Sequence, residues 1–274
     1  VIVMRYGFVI PGGDVPEIVD IAVEIEQAGW DGVFVAEGVY GTDAWVALGA
    51  MAARTSRVML GTLLTPPSRR RPWKLASETA TLDRLSRGRA VLSVGLGAID
   101  TGFGAVGEAT DRKVRAQLMD EGMEVVERLW SGKPFKYKGE HYQVKWGNTW
   151  SYTPYERTRV PVWVVALWGA SKTVDRALRW DGILPAKKDA SGAFVMVTAD
   201  DVRELAEYAA RNRTREGPFD IVIEGMTLKG PEEAQEKVAA YAEAGATWWM
   251  ESMWDAPGGM KTVMKRIRQG PPKI

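Results

Sequence analysis

Two short apolar segments of this chain end in carboxylates. Glu37 ends the segment Gly32–Glu37, and Glu251 lies near the end of Thr247–Ser252. If both segments are parallel strands of one barrel, both carboxylates lie at the end of the barrel where side chains meet substrate. A carboxylate there can orient a substrate or transfer a proton, and it can equally be one half of an ion pair. Glu37 and Glu251 are therefore candidate site residues with two interpretations each.

Two further segments could bind an anion. Trp168-Gly169-Ala170-Ser171 follows an apolar segment and opens a predicted helix, whose first N–H groups and Ser171 hydroxyl could hold a phosphate. Arg69-Arg70-Arg71 precedes another predicted helix and could receive a phosphate or carboxylate. A turn of small residues is also a common structural connection, and a basic cluster is often solvated or ion-paired. Each segment therefore has a functional and a structural interpretation.

The residue types of most standard catalytic sites are scarce. The chain has no Cys and only one His, His141, which excludes thiol nucleophiles, disulfides and multi-histidine zinc sites. We predict no metal site. Gly102–Gly107 matches G-x-G-x-x-G, but it begins several residues after a predicted strand, unlike a dinucleotide-binding turn. A site with so few acid–base groups favours chemistry on a bound organic cofactor.

Composition narrows the possible partners. The 274 residues are 46% apolar and 26% charged, with a net charge of +1. No strong field attracts nucleic acid or an anionic membrane, and we expect neither as a partner. The uncharged segment Val160–Ser171 is too short to span a bilayer, and Arg5 interrupts the apolar start of the chain. We therefore expect a cytoplasmic protein acting on a small-molecule substrate.

Strand and helix patterns alternate along the chain. Short apolar segments predict strands, and amphipathic segments with caps predict helices between them. Eight strands and eight helices in this length fit an α/β protein with a closed (β/α)₈ TIM barrel better than an open sheet. The predicted strands are Arg5–Ile10, Gly32–Glu37, Val58–Leu64, Arg89–Gly97, Val160–Ala166, Gly182–Ala186, Asp220–Met226 and Thr247–Ser252. No linker divides the chain, so we expect one domain over residues 1–274.

The alternation is interrupted after the fourth predicted strand. Residues 98–159 contain a long helix, Asp111–Trp130, a hairpin turning at Lys138-Gly139, and an irregular stretch rich in Trp and Tyr. We interpret them as an enlarged loop that covers an active site, as long βα loops commonly do. Eight tryptophans cluster late in the chain: Trp146, Trp150, Trp163, Trp168, Trp180, Trp248, Trp249 and Trp254. Some of them must belong to the core, and several near loops suit the wall of an aromatic ligand pocket.

One long segment resembles a known family. Arg57–Gly97 combines a strand with Gly-Thr, Thr-Pro and Arg-x-Pro, then Leu-Asp-Arg-Leu-Ser-x-Gly-Arg and a Gly-rich strand end. This pattern is similar to the bacterial luciferase-like superfamily of flavin- or deazaflavin-dependent oxidoreductases. Agreement extends over Asp120–Tyr142, the turn Gly169-Ala170-Ser171 and Ala177–Gly182, so the resemblance covers nearly the whole chain.

The resemblance implies FMN, or alternatively F420, bound at the C-terminal face of the barrel. It implies a strand bulge at Thr62 and Leu63 behind the cofactor ring, with Leu96 and Gly97 near the ring. Trp168, Gly169, Ala170 and Ser171 would bind the phosphate. Many members have a His near the end of strand two, where this chain has Glu37-Gly38, so Glu37 becomes the candidate catalytic residue. We expect Tyr40, Glu251 and Trp254 in the substrate pocket.

The implied activity is that of an oxidoreductase or monooxygenase. A reduced cofactor would pass a hydride, or activated oxygen, to a small organic substrate. NAD(P)H or a separate reductase is the implied reductant, and a homodimer is the implied assembly. Two alternatives stay open: a non-catalytic flavin-binding barrel, because the usual His is missing, and a flavin-free barrel enzyme that acts on phosphorylated sugars.

Overall fold

A closed ring of eight parallel strands forms the centre of the computed structural model, which describes residues 4–147, 151–228, 230–272 and 274. In chain order the strands are β1 (Arg5–Ile10), β2 (Gly32–Val35), β3 (Met59–Thr62), β4 (Ala90–Val94), β5 (Phe135–Lys138), β6 (Gln143–Trp146), β7 (Val162–Leu167), β8 (Gly182–Lys188), β9 (Phe194–Val195), β10 (Asp220–Gly225) and β11 (Trp248–Ser252). The barrel order is β1-β2-β3-β4-β7-β8-β10-β11, and β11 pairs with β1 to close the ring. The predicted (β/α)₈ barrel is confirmed.

Helices lie between the barrel strands. They are α1 (Val15–Gln27), α2 (Ala44–Arg54), α3 (Pro72–Ser86), α4 (Arg112–Trp130), α5 (Ser171–Leu178), α6 (Ala199–Asn212), α7 (Pro231–Glu243) and α8 (Met260–Gln269). Side-chain caps start several of them, because an Asp or Thr oxygen accepts from the first free N–H groups. Asp14, Asp43 and Asp111 cap α1, α2 and α4, and Thr198 forms a capping box with Asp201 at α6. None of these helices is both long and apolar enough to cross a bilayer.

The sequence Ser86-Arg87-Gly88 at the end of α3 predicts Gly88 as the left-handed cap of the helix. In the structure the cap residue is Arg87, with φ of 58°, and Gly88 follows with φ of 87°. Two consecutive left-handed residues reverse the chain between α3 and β4. Only the second is a glycine, so the pattern Ser-Arg-Gly pointed to the wrong one of the two.

The barrel interior is filled by side chains from seven barrel strands and by Leu63, which directly follows β3: Val9, Phe34, Leu63, Val91, Trp163, Leu184, Val222, Trp248 and Met250. A second, larger core lies between the strands and the helices. Successive residues of a strand face these two cores in turn, so each strand is apolar on both faces. Trp163 and Trp248 thus belong to the interior core, and Trp180 and Trp249 to the outer one. These four are thus the core members of the tryptophan cluster, and Trp150 lies outside the described residues.

The segment between β4 and β7 holds two short 3₁₀ turns, α4 and the hairpin β5–β6. The helix α4 packs against α3 as the other barrel helices pack against their neighbours. The hairpin is tied to α4 by Glu121, whose carboxylate accepts the backbone N–H groups of Glu140, His141 and Tyr142. His141 thus lies in a hairpin turn at the side of the barrel. The short strand β9, antiparallel to the end of β8, was not predicted, since two residues carry too little pattern.

Candidate functional site

A bulge interrupts β3 at the C-terminal end of the barrel. Gly61 pairs with Val91, and Thr65 pairs next with Val94, so β3 uses one more residue than β4 over this stretch. The peptide bond between Leu63 and Leu64 is cis. Leu63 turns its side chain into the interior core, whereas Thr62 is fully buried with its hydroxyl 2.9 Å from that of Thr65. The bulge therefore lies where the resemblance put the support of a cofactor ring.

Glu37 is the centre of the polar contacts around this bulge. Its Oε2 accepts from the Thr65 hydroxyl at 2.6 Å and from the Trp45 indole N–H at 3.0 Å. Its Oε1 accepts from Arg70 Nε at 2.9 Å and from an Arg69 guanidinium nitrogen at 3.3 Å. Only 4% of the Glu37 side chain is exposed. Because both oxygens are engaged, Glu37 fixes the bulge and the basic segment, and its surroundings do not favour the predicted role in proton transfer.

The basic segment has a structural place. Arg70 also lies 3.5 Å from Glu78, and the Arg69 side chain, 8% exposed, lies over the Phe103 ring. Desolvation lowers the pKa of Arg69, and Glu37 opposes that shift. A guanidinium group that is buried and paired in this way is held in place by its carboxylate. Neither Arg69 nor Arg70 is therefore available as an open anion site.

A side chain of α4 holds the segment that follows β4 by hydrogen bonds to its backbone. Arg115, whose side chain is buried, donates to the carbonyl oxygens of Leu96 at 2.7 Å and Gly97 at 2.9 Å. Gly97 has φ of 72°, and a Cβ there would lie 2.9 Å from Pro66 and 3.0 Å from the Phe103 ring. Only glycine fits both the backbone and the space. Leu96 and Gly97 thus lie beside the bulge, as the resemblance implied, and Arg115 is a supporting residue that the sequence did not single out.

The turn before α5 leaves backbone donors exposed. Ala170 is its N-cap without a side-chain hydrogen bond to the helix, and Gly169 has φ of 86° with open space where a Cβ would be. Ser171 and Lys172 are exposed at the first turn. Trp168 is half-buried, and its backbone N–H donates to the backbone carbonyl oxygen of Ala186 on β8 at 2.7 Å. The electropositive start of α5 is therefore accessible to an anion at the same end of the barrel as the bulge.

Glu251 does not lie in the barrel mouth, in contrast to the expected place in a substrate pocket. It shares a face with Trp249, which packs in the outer core, and it is completely buried. Its carboxylate accepts from the Thr227 N–H and hydroxyl and from the Trp249 indole, and it lies 3.5 Å from Arg266 of α8. The Glu251 side chain is directed toward the helices and not toward the barrel mouth, so it is part of the strand-to-helix packing.

Tyr40 and Trp254 lie on loops at the mouth, and their expected place in a substrate pocket stays a prediction. A Cβ on Gly102 would be 2.6 Å from the Tyr40 ring, so Tyr40 closes over the loop that follows β4. The Trp254 indole N–H donates to Glu224 at 2.7 Å. Glu224 was missed by the sequence analysis. It lies two residues after Val222 of the interior core, so its exposed side chain is directed to the mouth.

The interior also contains polar atoms without protein partners. Ser93 on β4 and Ser252 on β11 share the faces of Val91 and Met250, and their buried hydroxyls have no hydrogen-bond partner among the described residues. Buried hydroxyls normally have a partner, and a ligand or water can supply it. With the bulge and the α5 turn at the same end, these features fit an organic cofactor with an anionic group. Within the described ranges, no three His, Asp or Glu side chains form a group that could hold a metal ion.

A comparison with known families decides the family. The sequence profile described as luciferase-like monooxygenase matches residues 5–267. The chain belongs to the luciferase-like monooxygenase family. The resemblance carried by Arg57–Gly97 is thereby confirmed.

Several relatives of this luciferase-like chain are F420-dependent enzymes. It is 31% identical over 235 residues to the F420-dependent glucose-6-phosphate dehydrogenase of Beutenbergia cavernae, a match that covers 80% of this chain and 66% of that protein. The chain spans about half to two thirds of the length of the first such curated relatives it matches.

Solved structures of the luciferase-like type share the fold. The F420-dependent tetrahydromethanopterin reductase of Methanopyrus kandleri superposes with a TM-score of 0.77 at 18% identity, over 98% of both chains. The oxygenating constituent of 3,6-diketocamphane monooxygenase from Pseudomonas putida, in complex with FMN, gives 0.74 at 14% identity over 99% of both chains. At these identities the likeness concerns the barrel alone.

Proposed function

We propose that this protein is an F420-dependent oxidoreductase that transfers a hydride between the deazaflavin and a small organic substrate. The observation that carries the proposal is the bulge of β3, with its buried Glu37 network, at the same end of the barrel as the open N-terminus of α5. F420 is preferred to FMN because relatives at about 30% identity are named for F420. When bound, F420 supplies a ring carbon that accepts or donates a hydride.

The residues of the chain would act mainly by positioning. Leu63 and the end of β4 would form the support for a flat ring, and Glu37 would hold Thr65 and thereby the bulge. The exposed N–H groups at the start of α5 and the Ser171 hydroxyl would bind the phosphate of the cofactor. These buried supports would exclude water from the face of the ring that they cover, as hydride chemistry requires.

Cofactor binding provides the first test. The protein is titrated with F420, and quenching of the deazaflavin fluorescence reports the affinity. Ser171→Asp places a carboxylate where the phosphate is expected. An acidic residue in the first turn favours a helix, so the melting temperature should not fall while the affinity falls at least tenfold. Ser171→Ala, the matched variant without added charge, should lose only a few-fold in affinity. Equal effects of both variants would contradict the phosphate assignment.

Measurements of substrate turnover distinguish a dehydrogenase from a monooxygenase and from a non-catalytic flavin-binding barrel. Loss of the 420 nm absorbance with a panel of alcohols and glucose 6-phosphate would demonstrate dehydrogenase activity. Tight binding of FMN with oxygen consumption, but no F420 binding, would instead indicate a monooxygenase. Binding of either cofactor without turnover of any substrate would favour a non-catalytic flavin-binding barrel.

A further inference from the structure

The loops around the barrel mouth expose an unusual share of apolar side chains. The described part of the chain has thirteen large hydrophobic side chains that are exposed, and nine of them lie on segments joining a barrel strand to the next helix. These nine are Tyr40, Ile99, Val106, Phe194, Val195, Met196, Met226, Leu228 and Trp254. Connections of this kind all lie at the C-terminal end of the barrel. An apolar rim of this extent marks a binding surface.

The rim is linked to the strand ends by direct contacts. Trp254 donates to Glu224 on β10, and the methyl group of Met196 lies 3.2 Å from the position of a Cβ on Gly225. Tyr40 lies against Gly102 of the loop after β4. The apolar side chains therefore border the entrance and are not scattered over the helices.

Four basic side chains near the entrance are already engaged, whereas Arg71 and Lys172 are exposed. Arg69 and Arg70 pair with Glu37, and Lys187 donates to both oxygens of Asp201 at 2.7 and 2.8 Å. Lys188 lies 4.7 Å from the centre of the Phe194 ring. A phosphorylated sugar carries two negative charges, which basic side chains or N–H groups at a helix start can bind. Arg69, Arg70 and Lys187 could bind it only by giving up the carboxylates with which they are paired.

Glu224 is an available carboxylate at the mouth. Glu37 and Glu251 are buried with both oxygens engaged, whereas Glu224 is exposed and accepts a hydrogen bond from Trp254. A carboxylate accepts a hydrogen bond from a hydroxyl group and repels a phosphate. The mouth thus combines an apolar rim with a negatively charged hydrogen-bond acceptor on β10.

We propose that the substrate is an uncharged, largely apolar alcohol, or the corresponding ketone, whose oxygen contacts Glu224. The proposal rests on the hydride-transfer function given above. In the oxidation, the carbinol carbon loses a hydride to the oxidised deazaflavin, and the hydroxyl loses its proton to the Glu224 carboxylate. The carbonyl bond forms from the two electrons of the O–H bond, and Glu224 returns its proton to water. The reverse reaction reduces the ketone.

The binding test uses oxidised F420 and 2-octanone, a pair that cannot react. Calorimetric titration of the F420-loaded protein with 2-octanone should give saturable binding, and glucose 6-phosphate should bind at least tenfold more weakly. Leu228→Ser removes apolar surface from the rim and should weaken 2-octanone binding about tenfold. Leu85→Ser is the matched control, because Leu85 is 50% exposed at the end of α3, at the opposite face of the barrel. It should leave the affinity unchanged.

The role of Glu224 is tested separately from binding. Glu224→Ala should bind 2-octanone within threefold of the wild type, yet oxidise 2-octanol at least 100-fold more slowly, as expected for loss of a general base. Formate, which fits the vacated position, should restore part of the rate. If Glu224 had only a structural role, Glu224→Ala would not combine near-normal 2-octanone binding with slow 2-octanol oxidation, and formate would not restore the rate.

The outcomes separate this proposal from the proposed function. No F420 binding by the wild type would overturn the proposed function, and this proposal with it. F420 binding with tighter binding of glucose 6-phosphate than of 2-octanone would overturn the proposed substrate class alone. Equal weakening by Leu228→Ser and Leu85→Ser would also overturn it. Unchanged turnover in Glu224→Ala would overturn the role of Glu224.

Discussion

Replacing Glu37 with Gln should destabilise the protein, because it leaves two guanidinium groups without their shared carboxylate. The Glu37 oxygens accept four side-chain donors, and the side chains of Arg69 and Arg70 are only 8% and 19% exposed. Removing one partner of a buried ion pair costs about 3–5 kcal/mol. Glu78, 3.5 Å from Arg70, remains as a second carboxylate, and the Gln amide can still accept one hydrogen bond. We therefore expect a loss near the lower end of that range.

The assay is thermal unfolding followed by circular dichroism. For a chain of this size, 1 kcal/mol corresponds to roughly 2–4 °C in melting temperature, so Glu37→Gln should melt about 6–12 °C lower. Asp20→Asn is the matched control. Its partner Arg54 lies 3.3 Å away, but both side chains are more than half exposed, so this pair contributes below about 1 kcal/mol. F420 affinity should fall with stability in Glu37→Gln, because Thr65 and the bulge lose their anchor.

One result would refute this reasoning. If Glu37→Gln melted within 2 °C of the wild type, bound F420 normally and lost turnover by 100-fold or more, Glu37 would act on the substrate. The catalytic role expected from the sequence would then be correct, and the structural role would be wrong.

Three further predictions follow from other polar contacts. Glu251→Gln should lower the free energy of unfolding, measured in urea, by about 3 kcal/mol, because Arg266 loses its buried partner. A variant with the stability of the wild type but a raised KM for the substrate would contradict this prediction. Arg89→Lys should lower the free energy of unfolding by about 2 kcal/mol. The Arg89 guanidinium group donates to four carbonyl oxygens of α2, α3 and the connection from α2 to β3, and an ammonium group cannot reach all four. An unchanged free energy of unfolding would contradict this prediction. Burial raises the pKa of Glu26, but the backbone N–H groups of Val58, Arg57 and Ser56 outweigh it and hold that pKa below 4.5. Its stabilisation is complete above that pH and is lost as the pH falls through the lowered value, so Glu26→Gln should show a smaller loss of stability than the wild type over this range.

The fold was largely predictable because its signals are local. Strands apolar on both faces, helix caps such as Asp14, Asp43 and Asp111, and regular spacing define a barrel without knowledge of long-range contacts. The helix predicted over Asp111–Trp130 agrees with α4 within one residue. The two-residue strand β9 and the left-handed Arg87 were missed because each depends on a contact or a backbone angle that residue type does not specify.

The site was only partly predictable, because side-chain direction decides it. In Thr247–Ser252 both faces are apolar, so no alternation indicates that Glu251 faces the helices. Glu37 lies at the predicted place, but its partners come from three separate segments that pattern analysis does not bring together. Glu224 could have been found from its spacing of two residues from Val222, once Val222 was assigned to the interior.

The central claim is that the mouth of this barrel binds a deazaflavin for hydride transfer. The most direct measurement is an equilibrium titration of the purified protein with F420 and, separately, with FMN, followed by mass spectrometry of the cofactor retained after gel filtration. We expect one F420 per chain, a higher affinity for F420 than for FMN, and weaker F420 binding in Ser171→Asp. Absence of F420 binding, or F420 binding that Ser171→Asp leaves unchanged, would contradict it.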